Sequence, residues 1–498
     1  MSTANGPLTP RAATGIPGLD DVLGGGFPRR RIHLLQGSPG AGKTTLSLQF
    51  LMEGVRQGES CLYIAMSESR EEVASVAASH GWDLGGVAVF DASELDGSEE
   101  ENTILEPAEV ELGERMRAIL TEVERVQPNR VVLDSCTELR LLAQTPIRYR
   151  RQLLALKRQL VEKDRTVLLL DNPSPESPDV LVQSLAHGVV VLEQLNPEYG
   201  AERRRLRVLK MRAASYRGGY HDFAIRTGGL RVFPRLVAAE HRAGATQPER
   251  CLTGLEPLDR MLGGGLDRGT STLVVGPAGA GKSTLATQIV EAAARRGETV
   301  AVFAFDEPRA TLLARARATG LDLAPYEEAG TVQVTQVDPA EISAGELIHQ
   351  VRTAVERGAR MVLIDSLNGL LQAMPSEGSL VLQVHEMLSF LAEKHVVTLL
   401  TMAQHGIIGE MLAPADVTYL ADTVVLLRYF EAGGGVRKAI SVVKKRLGAH
   451  ESTIREYLPT ATGLRLGAPL TAFRGVLTGV PEFEPGAAGA QLLPVQSP

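Results

Sequence analysis

The stretch GSPGAGKTT (Gly37 to Thr45) returns as GPAGAGKST (Gly276 to Thr284), and its flanks return with it. Lys43 and Lys282 stand 239 positions apart. So do Asp20 and Asp259, in TGIPGLDDVLGGG and TGLEPLDRMLGGG, and so do Glu68 and Glu307 further on. One offset shared by three separated features means a duplicated domain. Each copy carries G-x-x-x-x-G-K-[ST], whose glycines let backbone N–H groups close on α- and β-phosphates. Its Lys reaches the β/γ-phosphates and its hydroxyl holds Mg²⁺. The candidate nucleotide contacts are Gly37, Ser38, Pro39, Gly40, Ala41, Gly42, Lys43, Thr44 and Thr45 in the first copy. In the second they are Gly276, Pro277, Ala278, Gly279, Ala280, Gly281, Lys282, Ser283 and Thr284. The chain is expected to bind two nucleoside triphosphates.

A length of 498 residues would suggest about three domains at ~150 residues each. The repeat overrides that prior and leaves two domains, each of roughly 230 residues and large enough to bury its own core. No run of about 18 apolar residues exists to span a membrane, and MSTANGPLTPRAATG has no apolar core of a secretory signal. The net charge of −7 speaks against a non-specific nucleic-acid coat. Cys61, Cys136 and Cys251 lack metal-ligand spacing and read as reduced, buried residues, with the cytoplasm as compartment.

In both copies an apolar run (RIHLLQG, TSTLVVG) precedes the phosphate loop, and an amphipathic stretch closed by Gly follows it. SCLYIAMSE and TVAVFAFDE, RVVLDS and RMVLIDS, and TVLLLDN and VVTLLTMAQ read as further strands. Such alternation predicts an α/β fold: a mostly parallel central sheet with helices on both faces, in two tandem domains. GVVVLEQLNPEYGAERRRLRVLKMR and TVVLLRYFEAGGGVRKAISVVKKR predict added antiparallel hairpins. The domains are placed at 12–240 and 248–480, with a join near 236–252. Weak order is expected at 1–12 and in the tail 481–498, and a solvated loop or helix start over the acidic stretch 92–112.

Asp134 and Asp365 end apolar strands about 90 residues after their loops, where an Asp holds Mg²⁺ together with the loop hydroxyl, here Thr44 and Ser283. Hydrolysis also needs an acid to orient or deprotonate water. The strand after the loop helix offers Glu68 in the first copy and the pair Asp306–Glu307 in the second. Lys210, Arg212, Lys444 and Arg446 occupy matching places late in each copy. They read either as a solvated face or as bases that reach a neighbouring subunit's γ-phosphate.

The order TG[IL]..LD..LGGG, phosphate loop, acid-bearing strand, [VL][LI]DS and K-x-R resembles the KaiC family of RecA-like ATPases over about residues 12 to 480. AFDEPRATLLARA, DSLNGLL, LADTVVLLRYFE and AISVVKKRLGAHESTIREY carry the resemblance in the second copy. It implies two RecA-like P-loop domains, a homohexamer with ATP between neighbours, slow hydrolysis, and in some members autophosphorylation of the C-terminal domain. Lys210, Arg212, Lys444, Arg446 and His450 match positions that reach a neighbour's nucleotide, while Lys445 and Tyr216 depart from the pattern. Where the family often has two adjacent glutamates, Ser67 replaces the first in one copy and Asp306 in the other. The resemblance therefore implies a weaker N-terminal site. Thr418 falls where the first phosphoacceptor lies and Tyr419 follows it. The tail shows no clock-type partner-binding segment.

The leading expectation is a KaiC-like ATPase that uses ATP and Mg²⁺, acting as a switch through unidentified protein partners. Two other classes remain open. One is a RecA- or DnaB-type DNA-dependent ATPase, for which only the RRR run at 203–205 speaks. The other is a nucleotide-gated scaffold with vestigial hydrolysis, compatible with Ser67. The fold alone does not separate them.

Overall fold

A computed structural model describes every residue except 1–9, 94–106, 162–163, 174–179, 242–248, 374–379, 405–418, 433, 462, 479–481, 484–491 and 494–498. The chain forms two compact units, residues 1–235 and 236–498.

In the first unit the strands are β1 (Ile32–Gly37), β2 (Cys61–Ala65), β3 (Val87–Asp91), β4 (Arg130–Asp134), β5 (Thr166–Asp171), β6 (Gly188–Leu195), β7 (Arg203–Met211), β8 (His221–Arg226) and β9 (Gly229–Phe233). They form one sheet in the order β9-β8-β7-β6-β1-β5-β4-β2-β3. Besides the short helix Leu19–Leu23, the main helices are α1 (Lys43–Arg56), α2 (Arg70–Ser79), α3 (Pro107–Val126), α4 (Cys136–Ala143), α5 (Pro146–Val161) and α6 (Val180–Leu185).

The second unit repeats this design. Its strands are β10 (Ser271–Gly276), β11 (Val300–Ala304), β12 (Val332–Gln336), β13 (Met361–Asp365), β14 (Val397–Ala403), β15 (Thr423–Ala432), β16 (Gly435–Lys445), β17 (Ile454–Thr460) and β18 (Gly463–Pro469). Their order, β18-β17-β16-β15-β10-β14-β13-β11-β12, matches the first sheet strand for strand. Its main helices are α7 (Lys282–Arg295), α8 (Arg309–Ala318), α9 (Ala344–Glu356), α10 (Leu367–Ala373) and α11 (Leu380–Glu393).

The six strands from β6 to β3 pair in parallel, and β6–β9 close the other side as antiparallel additions. Strands covered on both faces must be apolar throughout. β1 is buried at all six positions and β10 likewise, and separate apolar clusters lie on the two faces of each sheet. The edge strands β3 and β12 were not anticipated; VAVFD and VQVTQ are short and only partly buried.

The opening motif is structural. Asp20 accepts from Thr14 N and Oγ1, both at 2.9 Å, and Asp259 accepts from Thr253 N and Oγ1, both at 2.8 Å. Each Asp therefore ties down the turn that its Gly triplet allows, all three glycines having positive φ.

Order extends further at both ends than the sequence suggests. Arg11–Ala12 pair with Phe27–Pro28, and the Arg11 guanidinium donates to Leu23 O and Gly26 O. Glu482–Phe483 pair with Phe473–Arg474. Leu493 is held at 2.6 Å by Glu456 and at 2.9 Å by Arg437. The segment read as the join also belongs to the second unit at its start: Leu236 and Ala238 enter that core, Ala238 N donates to Glu386 at 3.0 Å, and His241 packs edge-on against Phe390.

Candidate nucleotide sites

Each phosphate loop runs from the carboxyl end of the central strand into the first turn of a long helix. The residue just before each helix, Gly42 or Gly281, has φ of 98° or 101°. A Cβ at Gly42 would also sit 2.6 Å from Ile225 Cδ1, so only Gly fits. This conformation aims successive N–H groups, and the positive end of the helix, into the loop. Lys43 Nζ donates to Gly37 O at 2.8 Å and Ser38 O at 3.0 Å, and Lys282 Nζ to Pro277 O at 2.9 Å. Burial lowers both ammonium pKa values, while nearby carboxylates oppose the shift.

The predicted hydroxyl–acid pairs form in both copies. Thr44 Oγ1 donates to Asp134 Oδ2 at 3.1 Å, and Ser283 Oγ donates to Asp365 Oδ1 at 3.1 Å. Each Asp is joined to the following Ser by a cis peptide bond. Around them the copies differ. Asp134 also accepts from Tyr63 Oη at 2.6 Å, whereas Asp365 accepts from Thr401 Oγ1 at 2.5 Å. Burial raises the Asp365 pKa, opposed by the hydrogen bonds from Thr401 and Ser283. Among the described residues no cluster of three or more His, Cys, Asp or Glu could hold a metal. A hydroxyl with one carboxylate is a sparse donor set that suits a hydrated Mg²⁺ shared with phosphate oxygens.

The acids at the ends of β2 and β11 are placed differently. Glu68 is half-buried, and its Oε2 is buried with no hydrogen-bond partner. Burial raises its pKa, with Asp134 and Glu72 adding to the rise and Lys43 opposing it. The Ser69–Glu72 capping box at the start of α2 fixes the turn that carries it. In the second copy Asp306 accepts from Ser366 Oγ at 2.5 Å, and Glu307 is paired with Arg315. The two acids read from the sequence as a working pair thus face different partners.

Lys210, Arg212, Lys444 and Arg446 are not brought to their own phosphate loops. Lys210 pairs across β6–β7 with Val189, which is level with Leu34 at the amino end of β1. The loop leaves from the other end, after Gly37, three residues or about 10 Å along the strand. Lys444 stands opposite Val424 in the same way, level with Leu273. A bulge in β7 and in β16 interrupts the ladder beside each lysine. Lys210 donates to Gln183 O, Arg212 to Ser184 O at 3.2 Å, Lys444 to Ala421 O at 2.8 Å, and Arg446 to Asp422 at 2.9 Å and Tyr419 O at 3.2 Å. His450 is half-buried in the loop between β16 and β17. Thr418 lies outside the described residues.

One group of residues was missed. In the first copy Gln36 Nε2 donates to the fully buried Asp171 at 3.0 Å, Arg140 forms an ion pair with Asp171, and Gln183 Nε2 donates to Gln36 Oε1 at 2.7 Å. This polar layer lies directly behind the phosphate loop. Asp171 at the end of LLLD was visible, but Gln36, Arg140 and Gln183, which build the layer with it, come from three other segments.

The family model for the ATPase domain of KaiC matches residues 12–237 and again 251–469. The circadian clock oscillator protein KaiC of Parathermosynechococcus lividus is 26% identical over 95% of this chain and 88% of its own length. The corresponding protein of Prochlorococcus marinus is 28% identical, covering 94% of this chain and 95% of that protein. The circadian clock protein KaiC3 of a Synechocystis species is 27% identical, covering 94% of both. With two matched repeats, two matching sheets and a hydroxyl–acid pair behind each loop, the chain belongs to the KaiC family of ATPases.

Proposed function

We propose that this protein binds Mg²⁺·ATP in both halves, hydrolyses it slowly, and assembles into a cytoplasmic homohexamer that signals through protein partners. The observation that carries the reading is the placement of Lys210/Arg212 and Lys444/Arg446 at the strand ends opposite their own loops. Cations there are out of reach of the chain's own nucleotide and suited to a neighbour's. Thr44 with Asp134, and Ser283 with Asp365, would hold Mg²⁺, which supplies charge neutralisation on the β- and γ-phosphates. Glu68 and the Asp306–Glu307 segment would orient and deprotonate the attacking water.

Native mass with and without ATP tests the assembly, since a ligand bound only by the assembled form drives assembly by mass action. Lys43→Ala combined with Lys282→Ala is expected to lose both nucleotides and the ATP-dependent hexamer; wild-type hexamers in that variant refute the reading. A kinase step at Thr418 rests on the family resemblance, and peptide mapping after incubation with γ-labelled ATP tests it. A nucleic-acid motor has less support. In the RRR run Arg204 pairs with Glu202, and Arg205 pairs with Glu193 at 2.8 Å while stacking on Tyr220. No helix among the described residues is long and apolar enough to cross a membrane.

A further inference from the structure

Three cations converge on the end of α6. The last carbonyls of this helix, Gln183 O, Ser184 O and Leu185 O, accept in turn from Lys210 Nζ, from Arg212 Nη2 at 3.2 Å and from Lys157 Nζ at 2.9 Å. Carbonyls at a helix end have no partner inside the helix and are open to such donors. The cations also oppose one another: burial lowers the Lys210 pKa, and Arg212 and Lys157 lower it further. Where this short helix stands therefore decides where Lys210 and Arg212 stand.

Gln183 uses its two polar groups separately. Its carbonyl takes Lys210, and its side-chain amide donates to Gln36 Oε1 at 2.7 Å. The direction of the Gln36 amide is fixed, because Nε2 donates to the buried Asp171 carboxylate at 3.0 Å and Oε1 is left to accept. Gln36 adjoins Gly37, whose carbonyl accepts from Lys43 at 2.8 Å. A bound triphosphate draws the Lys43 ammonium to its β- and γ-phosphates and so takes that donor away from Gly37 O. The second copy has no such series. Lys282 donates to Pro277 O, Val275 precedes Gly276, and Lys444 donates to the carbonyl of Ala421, whose side chain is a methyl group.

We propose that Gln183 is a positioning residue by which the N-terminal nucleotide site governs Lys210 and Arg212. With the loop empty, α6 holds both cations. Loading withdraws Lys43 from Gly37 O, shifts Gln36 and Gln183 with it, and releases the cations from the end of α6. By this route the N-terminal site reports its occupancy to the next subunit, and the C-terminal site does not. The inference rests on the reading that the first loop binds a triphosphate and that these cations serve a neighbour.

The experiment uses the full chain without nucleotide, dilute enough that native mass finds single chains, so that no neighbour covers Lys210. It is pulsed with acetic anhydride and mapped by peptide mass. Gln183→Met keeps the length and the backbone carbonyl but removes the amide. It is expected to raise Lys210 acetylation roughly threefold, a shift that loss of one hydrogen bond allows. Lys43→Met takes the donor from Gly37 O without nucleotide and leaves α6 untouched. It should raise acetylation to the same extent, and the two changes together no further, since both cut one series. Lys444 in the same samples should hold its parent value, as it should in Lys282→Met. Lys210 acetylation that ignores Lys43→Met overturns the proposal, as does an additive double variant or an equal rise at Lys444. Where Gln183→Met does not fold, Gln183→Glu, which also lacks the donor, takes its place. The underlying reading is tested apart: with its cations already released, Gln183→Met should assemble at about threefold less ATP than wild type at equal nucleotide content. An unchanged ATP requirement beside the expected acetylation keeps the series and removes the neighbour from it.

Discussion

Behind the N-terminal phosphate loop lie Gln36, Asp171 and Arg140; behind the C-terminal loop, at the same positions, lie Val275, Met402 and Leu371. The equivalence is structural, because Gln36 stands opposite Asp171 in the β1–β5 ladder as Val275 stands opposite Met402 in β10–β14. One backbone thus supports the same loop with an ion pair and amides or with hydrocarbon. Holding the loop does not require the polar layer. What the first copy gains is a connection: Lys210 bonds the Gln183 carbonyl, and the Gln183 amide reaches Gln36, one residue before the loop. A cation that stands away from its own phosphate loop is thereby tied to the residue just before that loop. Val275 and Met402 offer no such path.

The comparison can be broken most sharply at Glu68. Glu68→Gln is expected to lower N-terminal turnover by on the order of 10²–10⁴, measured with the C-terminal site silenced by Lys282→Ala, while nucleotide stays bound. A loss of less than about threefold would take the base role away from Glu68 and with it the contrast in acid placement.

Next in size is the polar layer. Arg140→Leu alone removes an ion pair from the fully buried Asp171 and should destabilise the N-terminal unit by up to about 3–5 kcal/mol. The triple change Gln36→Val, Arg140→Leu and Asp171→Met copies the second unit and should be near neutral. Thermal unfolding with hydrogen exchange resolved by unit gives both numbers. If the triple variant falls as far as the single one, the two layers are not interchangeable.

Smallest is an acid effect confined to one unit. Burial pushes His33 down to about 3, and His187 and His221 to about 4; all three lie in the first unit. Their unfolded forms take up protons near pH 6.5 and the folded forms do not. Stability is therefore full above that pH and is lost as pH falls toward 4, by on the order of a few kcal/mol. His33→Thr, the residue of the second copy, should relieve part of it. Exchange protection at pH 7 and pH 5 measures the effect, and equal losses in wild type and variant would exclude His33 as its source.

What was legible in the sequence had local signatures: the two loops, Asp134 and Asp365 at strand ends, and the apolar strands that carry them. Lys210 and Lys444 were legible as matched pairs, but their distance from their own loops emerges only from strand register. Gln36, Asp171 and Arg140 escaped notice because three segments meet only once β1, β5 and α4 pack. Arg315 lies eight residues beyond Glu307 on what looks like an ordinary charged helix face; setting it beside Val76 would have flagged it. The fold was readable from periodicity, whereas the difference between the sites lies in tertiary partners that periodicity does not encode.

The second core begins with Leu236 and Ala238, about fifteen residues before the second family match begins at residue 251. The unit that was copied and the unit that holds together are therefore not the same piece of chain. A C-terminal half cut at the repeat boundary would lose two side chains from its interior and the hydrogen bond that the Glu386 carboxylate accepts from Ala238 N. Sequence variation at 236–241, in what looks like connecting chain, is thus constrained by the packing of α11 rather than by the needs of a tether.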